Sequence, residues 1–482
     1  MNDGTGVDVA ARSAGGRLSH GRLLPLLEAM LAVAAYAVLC VSVLSVAPQL
    51  VEPDDYAYRA SIVAITDGHY LTLSTAQVRA LSAQLTRSAA PGEPVLTAPG
   101  PLGGNIEQWV RLPSGRWISE KDPGYPFLAA PFQALGIVRL SPLLYGALGC
   151  LGLFFGGRRW IGRYGGTAAV GLFCSSGAAF LFAWRDYMPT FTEAALIAAG
   201  SGALLWAMLA EDASARRRTA TGLLGFMAAE AAVFVRYTNI IVLGCALAAV
   251  LLARWLRPAS IPRGALRWWL GSAALFGAGV AAFDEAAYGG PLKTGYRPGE
   301  ITFSLGAIPA NLRLMPPHLI QAMPMLVLGL AGIAAMAMRR VLLKRAGADQ
   351  GRADRRDCAV GAGLAASWFG IWALYAAYTW TTQPGLSTLQ VARFYVPAVG
   401  AIALLGAWSL VRLPRVLRAP DRAHLTVAAS FAAVVVMAGL GLWSFRDMRA
   451  PQISGSQPPH CNIGEPQCPV KPPILGSSRG PR

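Results

Sequence analysis

Apolar runs recur along this chain between short polar segments, and their lengths set the first expectation. They lie near residues 24–48, 141–156, 165–183, 191–210, 220–236, 238–253, 268–288, 318–338, 358–379, 393–411 and 423–444. A helix needs about 20 apolar residues to cross a bilayer, so the pattern predicts an all-α polytopic membrane protein with about 11 transmembrane helices. Runs 220–236 and 238–253 are so close that one interrupted helix is the alternative, and it would invert the topology downstream. The run from Leu24 is too long for the core of a cleaved signal peptide and reads as a retained first helix.

Composition agrees: 54% of the 482 residues are hydrophobic, 14% are charged, and the mean hydropathy is +0.44. The net charge of +17 comes largely from short arginine tracts between runs, such as Arg158-Arg159, Arg216-Arg217-Arg218 and Arg339-Arg340. That is the positive-inside pattern, not a nucleic-acid platform, since no interleaved aromatics accompany it. It predicts a multi-pass protein of the inner or plasma membrane. Residues 1–23 are then cytoplasmic, 24–444 form the membrane domain, and 445–482 form an extracytoplasmic, poorly ordered tail. A large extracytoplasmic loop, 49–140, has near-neutral charge and carries helical patterns at Tyr56–Thr66 and Thr75–Ser88. Cys40, Cys150, Cys174, Cys245 and Cys358 fall in or beside spans, where they act as small apolar residues, whereas Cys461 and Cys468 lie where a disulfide is permitted. No internal repeat is visible, which counts against transporters built from inverted halves.

Candidate chemistry gathers at the outer ends of the spans. The first run leads into Glu52-Pro53-Asp54-Asp55-Tyr56, where two carboxylates sit between hydrocarbon and water. Such a setting suits a general base, and ordinary helix termination is the alternative. Asp186 and Glu193 lie in a second outer segment. For Glu193 a capping box with Thr190 is a competing explanation; for Asp186 it is not. Lys121, ending the large loop, suits a lipid phosphate, and Arg236, Lys293, Arg297 and Arg393 lie at other outer boundaries. Glu230, inside the fifth run, is an intramembrane acid and six residues from Arg236, too far round a helix to pair with it. Phosphate-loop, serine-hydrolase and zinc-protease signatures are absent.

The order of short motifs resembles the GT-C superfamily of membrane glycosyltransferases, which includes protein mannosyltransferases, aminoarabinose transferases and arabinofuranosyltransferases. Asp54-Asp55-Tyr56-Ala57-Tyr58 followed by Asp67-Gly68 is similar to the family's acidic pair and D-G segment. Lys121-Asp122-Pro123-Gly124-Tyr125-Pro126 resembles its P-G-Y-P loop. Asp186 with Glu193 resembles its second acidic loop. Gly290-Pro291-Leu292-Lys293-Thr294-Gly295-Tyr296 and Arg393-Phe394-Tyr395-Val396-Pro397 are similar to later motifs. The chain departs in its Asp-Asp pair, where many relatives have Asp-Glu, and in the Lys-Asp before P-G-Y-P.

The resemblance implies transfer of a sugar from a polyprenyl-phosphate donor to an acceptor hydroxyl on a glycan, glycolipid or protein, with inversion, at the extracytoplasmic face. It implies Asp54, Asp55 and Asp186 as catalytic residues, Lys121 and Arg393 on the phosphate, and Tyr58, Tyr125, Glu193, Lys293 and Tyr296 around the substrate. Asp54, Asp55 and Asp186 would be the ligands of a divalent metal, if one takes part. Only one carboxylate base is needed, because phosphate leaves without strong acid help, unlike the leaving groups of glycosidases. The rival classes are a secondary transporter or lipid-linked-sugar flippase, and an assembly protein without catalysis.

Overall fold

The computed structural model describes residues 20–50, 52–88, 97–98, 105–106, 108–257, 260–296, 301–345, 352–383, 385–413 and 423–453. The helices begin with α1 (His20–Leu44), α2 (Pro53–Thr66), α3 (Thr75–Arg87), α4 (Gly124–Ala134), α5 (Ser141–Ile161) and α6 (Gly165–Cys174). They continue with α7 (Gly177–Trp184), α8 (Thr190–Leu209), α9 (Ala215–Val235), α10 (Ile240–Leu256), α11 (Ala265–Tyr288) and α12 (Ile308–Ala322). The last are α13 (Leu326–Arg345), α14 (Arg352–Ala376), α15 (Thr388–Ala392), α16 (Val399–Val411) and α17 (Ala423–Ile453). Two antiparallel ribbons pair β1 (Thr97–Ala98) with β2 (Asn105–Ile106), and β3 (Trp109–Arg111) with β4 (Trp117–Ser119).

Among the described residues 8 helices are long and apolar enough to cross a membrane, or up to 10 spans if each of two bent pairs is one. The chain is therefore a multi-pass membrane protein; a shorter apolar helix, Val396–Val411, stands beside these, and the count of eleven crossings is not confirmed. Each predicted run falls on helix, but hydropathy is blind to direction. Run 165–183 is α6 and α7, bent by 59°. Run 318–338 joins α12 to α13 through a 110° bend, where Pro324 cannot continue the preceding helix. Run 393–411 holds only the short α16. The close pair at 220–253 resolves into two separate helices, α9 and α10, joined by a 3₁₀ turn at Tyr237–Asn239. α17 runs past residue 445 to Ile453, and Cys461 and Cys468 lie outside the described residues, as does Arg297.

The centre of the bundle is α8, with 78% of its most apolar window buried, whereas α11 at the rim has 6%. α8 packs chiefly on α5 and α9, and small residues set that spacing. A methyl group on Gly202 would lie 2.0 Å from the Gly152 carbonyl oxygen of α5. Small residues permit this approach where no hydrophobic force separates helix from lipid. Beside the bundle, α2, α3 and both ribbons form a small layer with its own core of Val78, Leu81, Ile106, Trp109 and Trp117. α2 and α3 are the two helices anticipated in the large loop.

Replacing Gly202 by Val should therefore wedge α5 from α8 and lower thermal stability by about 1–3 kcal/mol or prevent folding. Gly271→Val on α11, where an added methyl meets nothing within 4 Å, should leave the melting temperature of the purified protein within a degree or two of wild type. Equal effects from both would contradict this packing.

Candidate active site at the helix ends

α1 ends ten residues before Asp54, so the acidic pair begins a new helix rather than closing the first. The Arg139 guanidinium donates to the Val43 and Leu44 carbonyls at 3.0 Å each, satisfying acceptors that a helix C-terminus leaves open. The chain then runs extended, with Trp184 Nε1 donating to Ala47 O at 2.7 Å, and α2 starts at Pro53. Proline suits a first helical position, and acids in a first turn face the positive end of the helix dipole. Asp55 turns back to accept the Glu52 N–H at 2.9 Å.

The two aspartates then part company. Asp55 is clasped by Arg185, which follows α7: Nη2 reaches Oδ2 at 2.6 Å and Nε reaches Oδ1 at 3.2 Å. Arg185 is 0% exposed, and the same Nη2 also meets Glu52 Oε2 at 3.0 Å. Glu52 Oε2 in turn accepts from Arg393 Nη1 at 2.9 Å. Arg393 Nη1 reaches Asp54 Oδ2 at 2.7 Å, and Lys121 Nζ lies 3.2 Å from Asp54 Oδ1. Gln108 Nε2 donates to that same Oδ1 at 2.9 Å. The result is one chain of charge, Lys121–Asp54–Arg393–Glu52–Arg185–Asp55, drawn from four distant parts of the sequence.

Neighbours fix the cations. The β3–β4 ribbon delivers Gln108 at its start and Glu120 and Lys121 at its end, and Glu120 Oε1 is 3.2 Å from Lys121 Nζ. Lys121 also lies 3.4 Å from the Tyr296 hydroxyl and 5.1 Å from its ring centroid. Tyr296 comes this close because residue 295 is glycine: a methyl there would sit 2.3 Å from Glu120 Cα. Arg393 stacks over Trp380 and Phe394, at 5.4 and 4.9 Å from their centroids. A second layer holds Arg236, which donates to Arg393 O at 3.2 Å and lies 3.2 Å from Glu193 Oε1. Glu193 Oε2 accepts from Asn239 at 2.7 Å. α8 has no side-chain cap, so Glu193 is an ion-pair partner rather than the closing member of a capping box.

Of the residues predicted from sequence, Asp54, Lys121, Arg393 and Tyr296 meet directly, and Asp55 joins them through Arg185 and Glu52. Tyr58 packs edge-on against Tyr125 with centroids 6.1 Å apart. Tyr125 donates to the main-chain oxygen of Asp186, whose carboxyl lies beside Asp55 and Arg139 rather than at Asp54. Lys293 points elsewhere and donates to Gly289 O at 3.1 Å. Sequence reading missed Glu52, Gln108, Arg185 and Trp380 as site residues, and took Arg236 for an ordinary boundary arginine.

Electrostatics separates the acids. Burial pushes the Asp54 carboxyl up, but Lys121 and Arg393 overcome this and hold it well below the usual carboxylate range. Burial pushes Asp122 up to about 7, against the pull of Arg236 and Lys121 and with help from Glu193. Burial likewise raises Asp186 to about 7, opposed by Arg139 and aided by the Asp55 charge.

The acids do not fit a metal. All four oxygens of Asp54 and Asp55 already accept from cationic or amide donors. No group of three or more His, Cys, Asp or Glu among the described residues is arranged to hold an ion.

An apolar groove of about 330 Å³ runs between α4, α9 and α11, lined by Phe127, Met227, Phe234, Leu275 and Phe276. Glu230 lies in its wall, accepting from Ser272 Oγ at 2.8 and 3.0 Å. Phe127 also borders a smaller pocket with Ile65, Tyr70, Phe283, Tyr288 and Lys121. Phe127, which lines both hollows, packs ring to ring with Phe234 of the first and Phe283 of the second, and those two pack on each other.

No protein-family model matches this chain. No curated protein matches it. Among solved structures, the chain resembles ArnT from Cupriavidus metallidurans bound to undecaprenyl phosphate, with a TM-score of 0.50 and 15% identity over 90% of this chain and 79% of that one. The apo ArnT structure gives a TM-score of 0.49 and 14% identity over 91% and 79%. The likeness to the first shows the fold alone: this chain has an ArnT-like, GT-C-type fold.

Raised and lowered carboxyls carry opposite pH signatures. An acid whose folded pKa is raised holds its proton better folded than unfolded. Its contribution therefore declines as pH rises from the unfolded value near ~4 to about 7 and is flat above. The melting temperature should fall across that window, and Asp122→Asn and Asp186→Asn should each reduce the fall. An unchanged slope in both variants would contradict the burial described here.

Proposed function

We propose that the protein is a glycosyltransferase that moves a sugar from a polyprenyl-phosphate donor to an acceptor hydroxyl. The observation that carries the reading is the Asp54 carboxylate held at once by Lys121 and Arg393, with Lys121 lining a pocket that shares Phe127 with an apolar groove. A carboxylate between two buried cations occupies the place of an anion, and the groove suits an isoprenoid chain. ArnT, whose fold this chain shares, has been crystallised with undecaprenyl phosphate. The charge of the loops supports an extracytoplasmic site in the inner or plasma membrane, with residues 1–23 cytoplasmic, the catalytic body within 24–444 and the end of the chain outside.

The mechanism follows from exchange of partners. The donor phosphate takes Lys121 and Arg393, with charge-assisted hydrogen bonds replacing those to Asp54. Glu52 keeps its hold on Arg393, so the guanidinium stays in register. Asp54, deprived of both cations, becomes more basic and removes the proton of the acceptor hydroxyl. The acceptor oxygen attacks the anomeric carbon, the bond to phosphate breaks, and the configuration inverts. Lys121 and Arg393 stabilise the charge that gathers on the leaving phosphate. Asp55, locked to Arg185, positions the start of α2 and exchanges no proton.

With reconstituted protein and labelled polyprenyl-phosphate sugars, Asp54→Asn should lower transfer by about 10²–10⁴-fold. The same variant should bind polyprenyl phosphate at least as tightly as wild type, since a competing carboxylate is gone. Lys121→Ala should weaken that binding. Full transfer by Asp54→Asn, or no product from any donor, would overturn the reading.

A further inference from the structure

Among the described residues, Phe127 is the one that lines both the apolar groove and the pocket of Lys121. Its ring meets Phe234 of the groove at 6.1 Å and Phe283 of the pocket at 6.2 Å, and those two meet each other at 5.6 Å. Three rings in mutual contact therefore stand between the hollows. A lipid with its phosphate at Lys121 and its tail in the groove has to pass them.

The three rings are not held alike. Phe127 is stacked with Tyr70 of the pocket, at 6.5 Å and 12°, and with Phe234 of the groove, at 6.1 Å and 24°. It is thus gripped from both hollows. The backbones behind Phe127 and Phe234 lie against each other, since a methyl on Gly124 of α4 would sit 2.3 Å from the Phe234 carbonyl carbon. Phe283 meets both rings only edge-on, at 84° and 87°. It is half-buried on α11, the helix at the rim, and its lipid-side neighbours Ala282 and Ala286 are small and exposed. In the turn before it, a methyl on Gly279 would meet nothing within 4 Å. The helix that carries the ring is itself tied. Asp284 accepts from the Tyr237 hydroxyl at 2.8 Å, and Ala287 and Tyr288 pack with Ile118 of the β3–β4 ribbon. The freedom at this point belongs to a side chain rather than to α11.

We infer that Phe283 is the gate between groove and phosphate pocket, and that the size of this side chain sets how readily a long isoprenoid tail enters. The inference rests on the donor reading above. Turning aside breaks two edge-on ring contacts and leaves the Phe127–Phe234 stack in place. A phosphate whose tail is too short to reach the groove occupies the pocket alone and never meets the gate. Phe283 is therefore a residue that discriminates by tail length, separate from the cations that hold the phosphate.

The test compares association rates of two ligands with full-length protein in lipid nanodiscs: a long-chain polyprenyl phosphate and an isoprenyl phosphate of a single unit. The quantity read is the ratio of the long-chain rate to the single-unit rate. Phe283→Ala should raise that ratio about tenfold, because two ring contacts no longer have to be broken. Phe283→Trp, with a larger ring at the same place, should lower it. Phe283→Leu, which keeps apolar bulk without a ring, should fall between Ala and wild type. Opposite shifts from the smaller and the larger side chain are what a gate gives, whereas a ring that only supports the fold would be damaged by both. A ratio unchanged in the Ala and Trp variants, or shifted the same way in both, would overturn the gate alone. Failure of wild type to bind either phosphate would overturn the donor reading, and the gate with it.

Discussion

Glu52 accepts from two buried guanidiniums through one oxygen, and the geometry of the site depends on that bridge. Arg185 at 3.0 Å and Arg393 at 2.9 Å come from opposite halves of the chain. Each carries an aspartate of its own, Asp55 and Asp54. Burying any one of these charges alone would cost several kcal/mol, and removing one member would leave its partner uncompensated. The set is tolerable only complete, so it acts as a registry device. The ends of α2, α7 and α15 meet in one arrangement or lose the pairing.

A charge network can hold helix ends only if the helices do not slide. The body of the bundle supplies that rigidity through close backbone contact of α8 with α5, where glycines leave no room for a side chain. The N-terminal turn of α8 then presents Glu193 to Arg236, and Arg236 reaches the backbone of Arg393. A second layer of polar contacts thus supports the first. The charges do not balance. Glu52, Asp54, Asp55, Glu120, Asp122, Asp186 and Glu193 outnumber Lys121, Arg139, Arg185, Arg236 and Arg393 by two. Asp122 and Asp186 are the two with no ion pair among the described residues, and both are pushed up to about 7. Burial thus makes both hold a proton more tightly than an ordinary aspartate does.

The parts of this architecture legible in sequence were those written in local chemistry. Apolar runs placed the helices, and the order of Asp54, Lys121 and Arg393 along the chain marked residues that meet in space. Direction was not legible: the 59° and 110° bends leave hydropathy unchanged. Partnership was not legible either. Lys293 and Lys121 stand in similar loops before glycine-containing segments, yet Lys293 folds back onto its own turn while Lys121 enters the site. Glu193 had the spacing of a capping box, but a buried arginine forty-three positions later outcompetes a backbone N–H as its partner. Gln108 carried no motif. Its signal is conformational, a left-handed φ of 57° at a residue that carries a side chain, and only coordinates display it.

Asp54 and Asp55 are chemically identical neighbours, and the helix they begin makes them different. Successive residues in a helical turn point about 100° apart, so Asp55 turns into the protein toward Arg185 while Asp54 turns toward Lys121 and Gln108. The first direction leads to a guanidinium that is fully buried and bidentate, a partner with no reason to leave. The second leads to a lysine and to an arginine that each meet one carboxylate oxygen, the lysine lining a pocket. A carboxylate held by single contacts from two separate cations is more readily released than one clasped through both oxygens by one fully buried guanidinium. The tandem acid pair is therefore best understood as one fixed charge and one exchangeable charge, with the fixed one determining where the exchangeable one stands.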